Sequence, residues 1–265
     1  MRLYIQDGIF QSITDDQGVP RHLFAYALSR LALAFHPRAR SALVLGLAAG
    51  SVPTHLKKAG LTVEAVDINP DALLIAQRYF GFDPNTAKVH VADARTFVRR
   101  CGHSYDIVVV DLFHGDFVPD YLLTEEFFKD VSGCLTPEGT VVFNVWVHHN
   151  YEALLGHILA TMSSSFPRLF VFRAPSEEAT QNTFIVGARG DVPENLSVNV
   201  ENAPDGLRDQ LAALARNGRE VTGQELAAGT VFTDDYNAFL AESASEYLAF
   251  RSLALRALPP NFFVN

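Results

Sequence analysis

Cysteine is scarce in this sequence, two in 265 residues, which excludes a scaffold built on a disulfide framework. Cys101 and Cys134 stand far apart with no metal-ligand spacing, so both are expected as buried free thiols. Basic residues are also few. Twenty-one Lys and Arg against 30 Asp and Glu leave a formal charge of -9. A nucleic-acid backbone demands clustered cations, so nucleic acid is not the expected partner. The acidity suits a cationic substrate, although solubility alone accounts for it. No apolar run is long enough to span a bilayer, and Met1 to Thr14 lacks the basic start and apolar core of a secretion signal. A cytoplasmic protein without a membrane segment is expected. Several chemistries lack their motifs: no Gly-Lys-Ser/Thr for a triphosphate, no G-x-S-x-G elbow, no His-x-Glu and no Cys-x-x-Cys. His148 and His149 are adjacent and cannot easily face one ion together with His114, so no metal is expected.

The chain is organised around Ser41 to Asp67. Ala42 to Leu45 is an uninterrupted apolar run, as in a strand buried on both faces. A turn bracketed by Gly46 and Gly50 follows, then a helix over Val52 to Ala59 and a second strand over Thr62 to Val66 that delivers Asp67 at its carboxyl end. Strand, glycine turn, helix and acid-ended strand hold adenosine-type cofactors, the acid accepting from the ribose hydroxyls. The third glycine of the dinucleotide fingerprint is missing.

Leu3 to Ile13 reads as a hairpin around Asp7-Gly8, and Pro20 to Phe35 as a helix. After the organising unit come a helix over Pro70 to Phe80 capped by Asn69, a strand over Lys88 to Val91, and a helix opened by Asp93. Tyr105 to Val110 is a second buried strand, ended by Asp111. A loop rich in Gly, Pro and Asp runs from Leu112 to Leu123, where site residues are expected. Thr124 to Leu135 reads as a helix, Thr140 to Trp146 as a strand and Asn150 to Phe166 as a helix. An antiparallel pair, Leu169 to Arg173 and Thr183 to Gly187, closes the sheet across a polar turn at Ser176 to Gln181. The expected organisation is a hairpin over residues 1–18, an α/β domain over 19–190 and a mostly helical extension over 191–265. The alternation implies a doubly wound, mostly parallel sheet of Rossmann-like type. Ligands on such sheets bind beyond the carboxyl ends of the strands, where Asp67, Asp93 and Asp111 all fall.

These residues resemble the spermidine synthase family, the polyamine aminopropyltransferases, and in particular its bacterial spermidine-synthase-like branch. The resemblance rests on D-G-x-x-Q (Asp7, Gly8, Gln11), the glycine turn, V-D-I-N-P (Val66 to Pro70), A-D-A (Ala92 to Ala94), Y-D-I-V-V-V-D (Tyr105 to Asp111) and G-D-x-x-P with L-L-T-x-E-F-F (Gly115 to Phe128). It implies the fold of S-adenosylmethionine-dependent methyltransferases and aminopropyl transfer from decarboxylated S-adenosylmethionine to a diamine such as putrescine. It further implies Asp67 on the ribose, Asp93 on the adenine amino group, Gln11 beside the sulfonium arm, and Gly46 and Gly50 at the turn. Asp111 would take the amine's proton, and a homodimer is expected. Asp116 stands near the family's second loop acid. Asp116 and Asp120 are expected to hold a distal ammonium, with Tyr121 and Trp146 as aromatic walls. Two departures stand out. Ala49 replaces the acid that faces the aminopropyl end, and Arg21 to Phe24 replaces a polyamine-gripping segment. They leave two alternatives: a methyltransferase using S-adenosylmethionine on the same fold, and a regulatory homologue that binds the cofactor without turnover.

Overall fold

The computed structural model describes residues 1–6, 9–115, 117–148, 152–173 and 180–257. Asp7, Gly8, Asp116 and His149 lie outside them. The chain begins with a two-stranded antiparallel ribbon, β1 (Arg2–Gln6) and β2 (Ile9–Thr14). Helix α1 (Leu23–Phe35) leads into β3 (Ser41–Leu45), α2 (Ser51–Lys58), β4 (Thr62–Asp67), α3 (Ala72–Phe80), β5 (Lys88–Val91), α4 (Ala94–Arg99) and β6 (Tyr105–Val110). Then follow a single turn at Asp120–Leu122, α5 (Glu125–Gly133), β7 (Leu135–His148), α6 (Glu152–Ser163), β8 (Arg168–Arg173) and β9 (Thr180–Ala188). The tail holds α7 (Asp205–Arg216), β10 (Arg219–Glu220), α8 (Gly223–Ala228) and α9 (Phe239–Ala257).

The main sheet has eight strands in the order β10-β8-β9-β7-β6-β3-β4-β5. The five strands from β7 to β5 run parallel, and β9, β8 and β10 are added antiparallel. This is the doubly wound sheet the alternation predicts. Its central strands alternate between two cores. Leu43, Leu45, Val108 and Val110 face one, with α4, α5, α6 and α9. Ala42, Val44, Ile107 and Val109 face the other, with α1, α2 and α7. Burial on both faces is why these segments read as continuous apolar runs.

Three expectations need correction. The cysteines are not free thiols: Cys101 and Cys134 are joined, with Cα atoms 5.7 Å apart. Parallel pairing of β6 with β7 brings the end of α4 beside the end of α5, and Tyr105 N–H donates to the Cys134 carbonyl at 2.7 Å. A pairing that depends on a crossover is invisible in the spacing of two residues. Next, β7 begins at Leu135 rather than Thr140. Its register against β6 slips between Tyr105 and Ile107, and Pro137 and Gly139 sit in that irregular entry. Finally, Asn69 does not cap α3. Its Oδ1 accepts from Asp71 N–H, a local turn just before the helix.

Candidate functional site

β3 and β6 are neighbours, and the chain leaves them toward opposite faces of the sheet, so a crevice opens beyond their carboxyl ends. Register carries the acids there. Leu45 pairs with both Val66 and Val110, which places Asp67 and Asp111 one step beyond the paired rows. Asp93 follows β5 and opens α4. All three line one cavity of about 160 Å³, together with Gln11, Gly46 and Tyr121.

The turn is built by backbone geometry. Gly46 has φ 97, and a Cβ there would run into the Asp111 carbonyl oxygen. Gly50, φ 75, lies against the Phe82 ring in the same way. Between them Ala48 takes φ 45, a left-handed conformation that disfavours any side chain. Ala48, rather than Ala49, lines the cavities around Asp111. Ala49 is buried and faces a separate cavity behind the turn. The expectation that position 49 faces the site is therefore corrected: left-handed backbone at Ala48 rotates position 49 away.

Asp67 is held by its neighbours. Its Oδ2 accepts from Leu47 N–H and its Oδ1 from Asn69 N–H, both at 2.9 Å. This fixes the carboxylate at the cavity wall and leaves acceptor capacity facing in. Asp93 does two things at once. Its Oδ1 caps α4 by accepting from Thr96 N–H at 2.7 Å, and its Oδ2 accepts from the Tyr121 hydroxyl at 3.2 Å. Burial and the Asp93 charge raise the Tyr121 pKa, so the phenol stays protonated and donates. Gln11 spans from the ribbon to the loop, its Nε2 donating to the Gly115 carbonyl at 2.7 Å.

Asp111 stands where this cavity meets a second one of about 100 Å³, lined by Phe10, Phe24, Phe113, Asn144, Trp146 and Asn182. Asn144 Nδ2 donates to Asp111 Oδ1 at 2.9 Å. Burial pushes the Asp111 pKa up to about 6, against the lowering effect of that bond. Asn144 is buried, and its Oδ1 has no hydrogen-bond partner. The carbonyl end of its amide is thus an acceptor beside the second cavity.

The sequence-predicted residues sort as follows. Gln11, Gly46, Asp67, Asp93 and Asp111 gather in the crevice, and Trp146 walls the second cavity as an aromatic face. Gly50 lines the cavity behind the turn. Tyr121 does not wall the second cavity; it bonds to Asp93 in the first. Asp120 lines neither, its Oδ1 accepting from Tyr121 N–H. A one-turn helix at Asp120–Leu122 rotates the two side chains to these places. Asp116 lies outside the described residues. Sequence reasoning missed Asn144, and the signal was present: one amide inside the apolar strand TVVFNVW has to meet a polar partner. It also missed the part that Thr233 to Tyr236 plays. Asp234 makes a two-oxygen ion pair with Arg95 Nη2, and Arg95 Nη1 donates to the Tyr121 carbonyl at 2.9 Å. Asn237 Nδ2 donates to the Asp120 carbonyl at 2.8 Å. The segment thus straps the site loop. Among the described residues no group of three His, Cys, Asp or Glu could hold a metal ion, and no helix is long and apolar enough to cross a membrane.

The spermine/spermidine synthase domain model matches residues 22–193. The chain is 33% identical over 168 residues to the polyamine aminopropyltransferase of Vibrio vulnificus, covering 61% of this chain and 55% of that protein. It is 31% identical over 151 residues to the eEF1A lysine and N-terminal methyltransferase of Bos taurus, covering 51% of this chain and 21% of that protein. It spans about half the length of the first of these, 55%, and far less of the second. The crystal structure of a probable spermidine synthase from Corynebacterium glutamicum superposes with a TM-score of 0.68 at 17% identity, covering 87% of this chain and 89% of that one, and this likeness shows the fold. With the family's domain matched over well more than half its length, the chain belongs to the spermine/spermidine synthase family.

Proposed function

We propose that the chain transfers an aminopropyl group from decarboxylated S-adenosylmethionine to a diamine such as putrescine. The observation that carries this is Asp111, a carboxylate of raised pKa standing where the crevice lined by Asp67 and Asp93 meets a second chamber walled by aromatic rings. The residues of the crevice fit a sulfonium nucleoside. Asp67 offers acceptors for ribose hydroxyls, Asp93 an acceptor for the adenine amino group, and Gly46 a wall without a side chain. Gln11, tied to Gly115, stands beside the sulfonium arm.

The reaction is an in-line displacement: the new C–N bond forms as the C–S bond breaks, and the electron pair leaves on sulfur as a neutral thioether. That leaving group needs no proton, so the chain chiefly aligns the reactants and excludes water. The amine is the harder partner. Its pKa is about 10, like that of lysine, and it arrives protonated. Asp111, ionised at neutral pH, accepts that proton and later releases it to solvent, while the Asn144 amide holds the carboxylate in place. The free Asn144 Oδ1 is an acceptor for an N–H of the diamine, and Trp146 and Phe113 supply faces for a cation and its methylenes. Asp116 remains a proposed holder of the distal ammonium. The same reading carries a cytoplasmic homodimer without nucleic-acid or membrane partners, which light scattering and fractionation test.

Methyl transfer from S-adenosylmethionine is the second reading. It is favoured by the alanine at 48, because the turn residue that lines the crevice carries no carboxylate to attract an ammonium or repel the cofactor's own carboxylate. Mass spectrometry of products from both cofactors with putrescine, cadaverine, agmatine and spermidine decides between them. An added aminopropyl group is expected; an added methyl group would reject the first reading, and cofactor binding without any product would favour a regulatory homologue.

A further inference from the structure

Behind the glycine turn lies a cavity of about 550 Å³, larger than either of those around Asp111 and sharing no lining residue with them. It is a groove between two helices: α1 contributes Tyr26, Ser29 and Arg30, and α2 contributes Thr54, His55 and Lys58. Phe80 and Phe82 close one end.

Its charge is unlike that of the rest of the molecule. The chain carries 30 acids and a net charge of -9, yet no carboxylate lines this cavity and two cations do. Neither cation has an acidic partner among the described residues. Arg30 makes one hydrogen bond, from Nη2 to the Glu201 carbonyl at 3.1 Å, and its Nε is shut off from solvent with no acceptor. A guanidinium N–H buried without an acceptor is costly, and the other arginine contacts here do not relieve it. Among the described residues Lys58 forms no ion pair. Beside them, His55 Nδ1 lies 3.3 Å from the Ala25 carbonyl and 3.1 Å from Ser29 Oγ. With Nδ1–H donating to Ala25, the lone pair of Nε2 is left free. The Tyr26 ring lies 4.8 Å from the imidazole and extends an apolar wall.

A forked guanidinium, an ammonium and an imidazole acceptor around one space match an oxyanion with several acceptor oxygens and an exchangeable proton, which is a phosphate monoester more than a flat carboxylate. The aromatic end of the groove suits an apolar body attached to it. We propose that this cavity is a binding site for a small organic phosphate, with Arg30 and Lys58 on the phosphate and Tyr26 and Phe82 against its body. Ala49 and Gly50 belong to its wall, so an occupant would touch the same turn that shapes the crevice on the other side.

Calorimetric titration of the full chain with phenyl phosphate, inorganic phosphate and benzoate tests this. Phenyl phosphate is expected to saturate one site with a Kd below about 1 mM, and inorganic phosphate and benzoate to bind at least about tenfold more weakly. Arg30→Met and the exposed Lys58→Met should each weaken phenyl phosphate by about tenfold or more, while Asp67→Asn, in the other crevice, should leave it unchanged. Thermal melts of each variant confirm that it is folded. The proposal fails if phenyl phosphate gives no saturable heat, if benzoate binds as well, if Lys58→Met binds normally, or if Asp67→Asn abolishes the signal.

Discussion

Asp111 is a carboxylate that the folded protein makes costly to ionise. Its pKa rises from 3.8 to about 6, so its unfavourable contribution is absent below the unfolded value and grows as pH rises through the folded one. About two pKa units correspond to roughly 2–3 kcal/mol. Asp111→Asn is therefore expected to stabilise the protein by about that amount at pH 7.5 and by nothing below pH 4, which chemical denaturation at the two pH values would show. On the proposed function the same change removes the proton acceptor, and turnover should fall by about 10²- to 10⁴-fold. On the same reading, kcat/KM of the unaltered chain should decline below about pH 6 as this carboxylate protonates. Gly46 is the complementary case. Gly46→Ala would place a methyl group against the Asp111 carbonyl at a φ of 97, so a loss of more than about 2 kcal/mol of unfolding free energy by chemical denaturation is expected, with binding of the proposed cofactor weakened alongside.

The start of helix α4 holds the site loop through its cap residue and a side chain of its first turn. Asp93 receives the Tyr121 hydroxyl, and Arg95 grips the Tyr121 carbonyl and Asp234. Arg95 is only 11% exposed, and lysine cannot reproduce its fork. Arg95→Lys should raise KM for the nucleoside co-substrate by about tenfold with a smaller change in kcat, since it moves a wall and not the reacting groups. Steady-state kinetics with the two substrates varied separately would separate these; an unchanged KM would show that the strap is purely structural. The central elements were legible from sequence because strands buried on both faces leave unbroken apolar runs such as YDIVVV, and because acids at strand ends are countable. The strap was not legible: Arg95 and Asp234 are 139 residues apart, and only the packing of α5 and α6 brings them together. The Cys101–Cys134 link escaped for the same reason, since it joins residues that only the crossover brings together.

For the whole molecule, the tail is part of the body. Leu211 and Leu214 of α7 are fully buried in one core, and Phe232 and Phe239 in the other. Each contributes roughly 1.5–3 kcal/mol, a sum comparable with the 5–15 kcal/mol of a typical domain, about the whole of it. A chain ending at residue 190 is thus expected to lack a cooperative thermal transition by calorimetry. We propose on this ground that residues 19–190 and 191–265 fold as a unit although the sequence changes character between them.

The ends of the sheet bear on how copies of the chain can associate. One outer strand, β10, is two residues long, and the other, β5, is four residues long and carries Lys88 and His90 beside Glu64. Rims so short and so charged offer little backbone for a foreign strand to extend. A second copy would have to meet helix faces or the amino-terminal ribbon, and runaway strand-by-strand stacking has no starting ledge on this sheet.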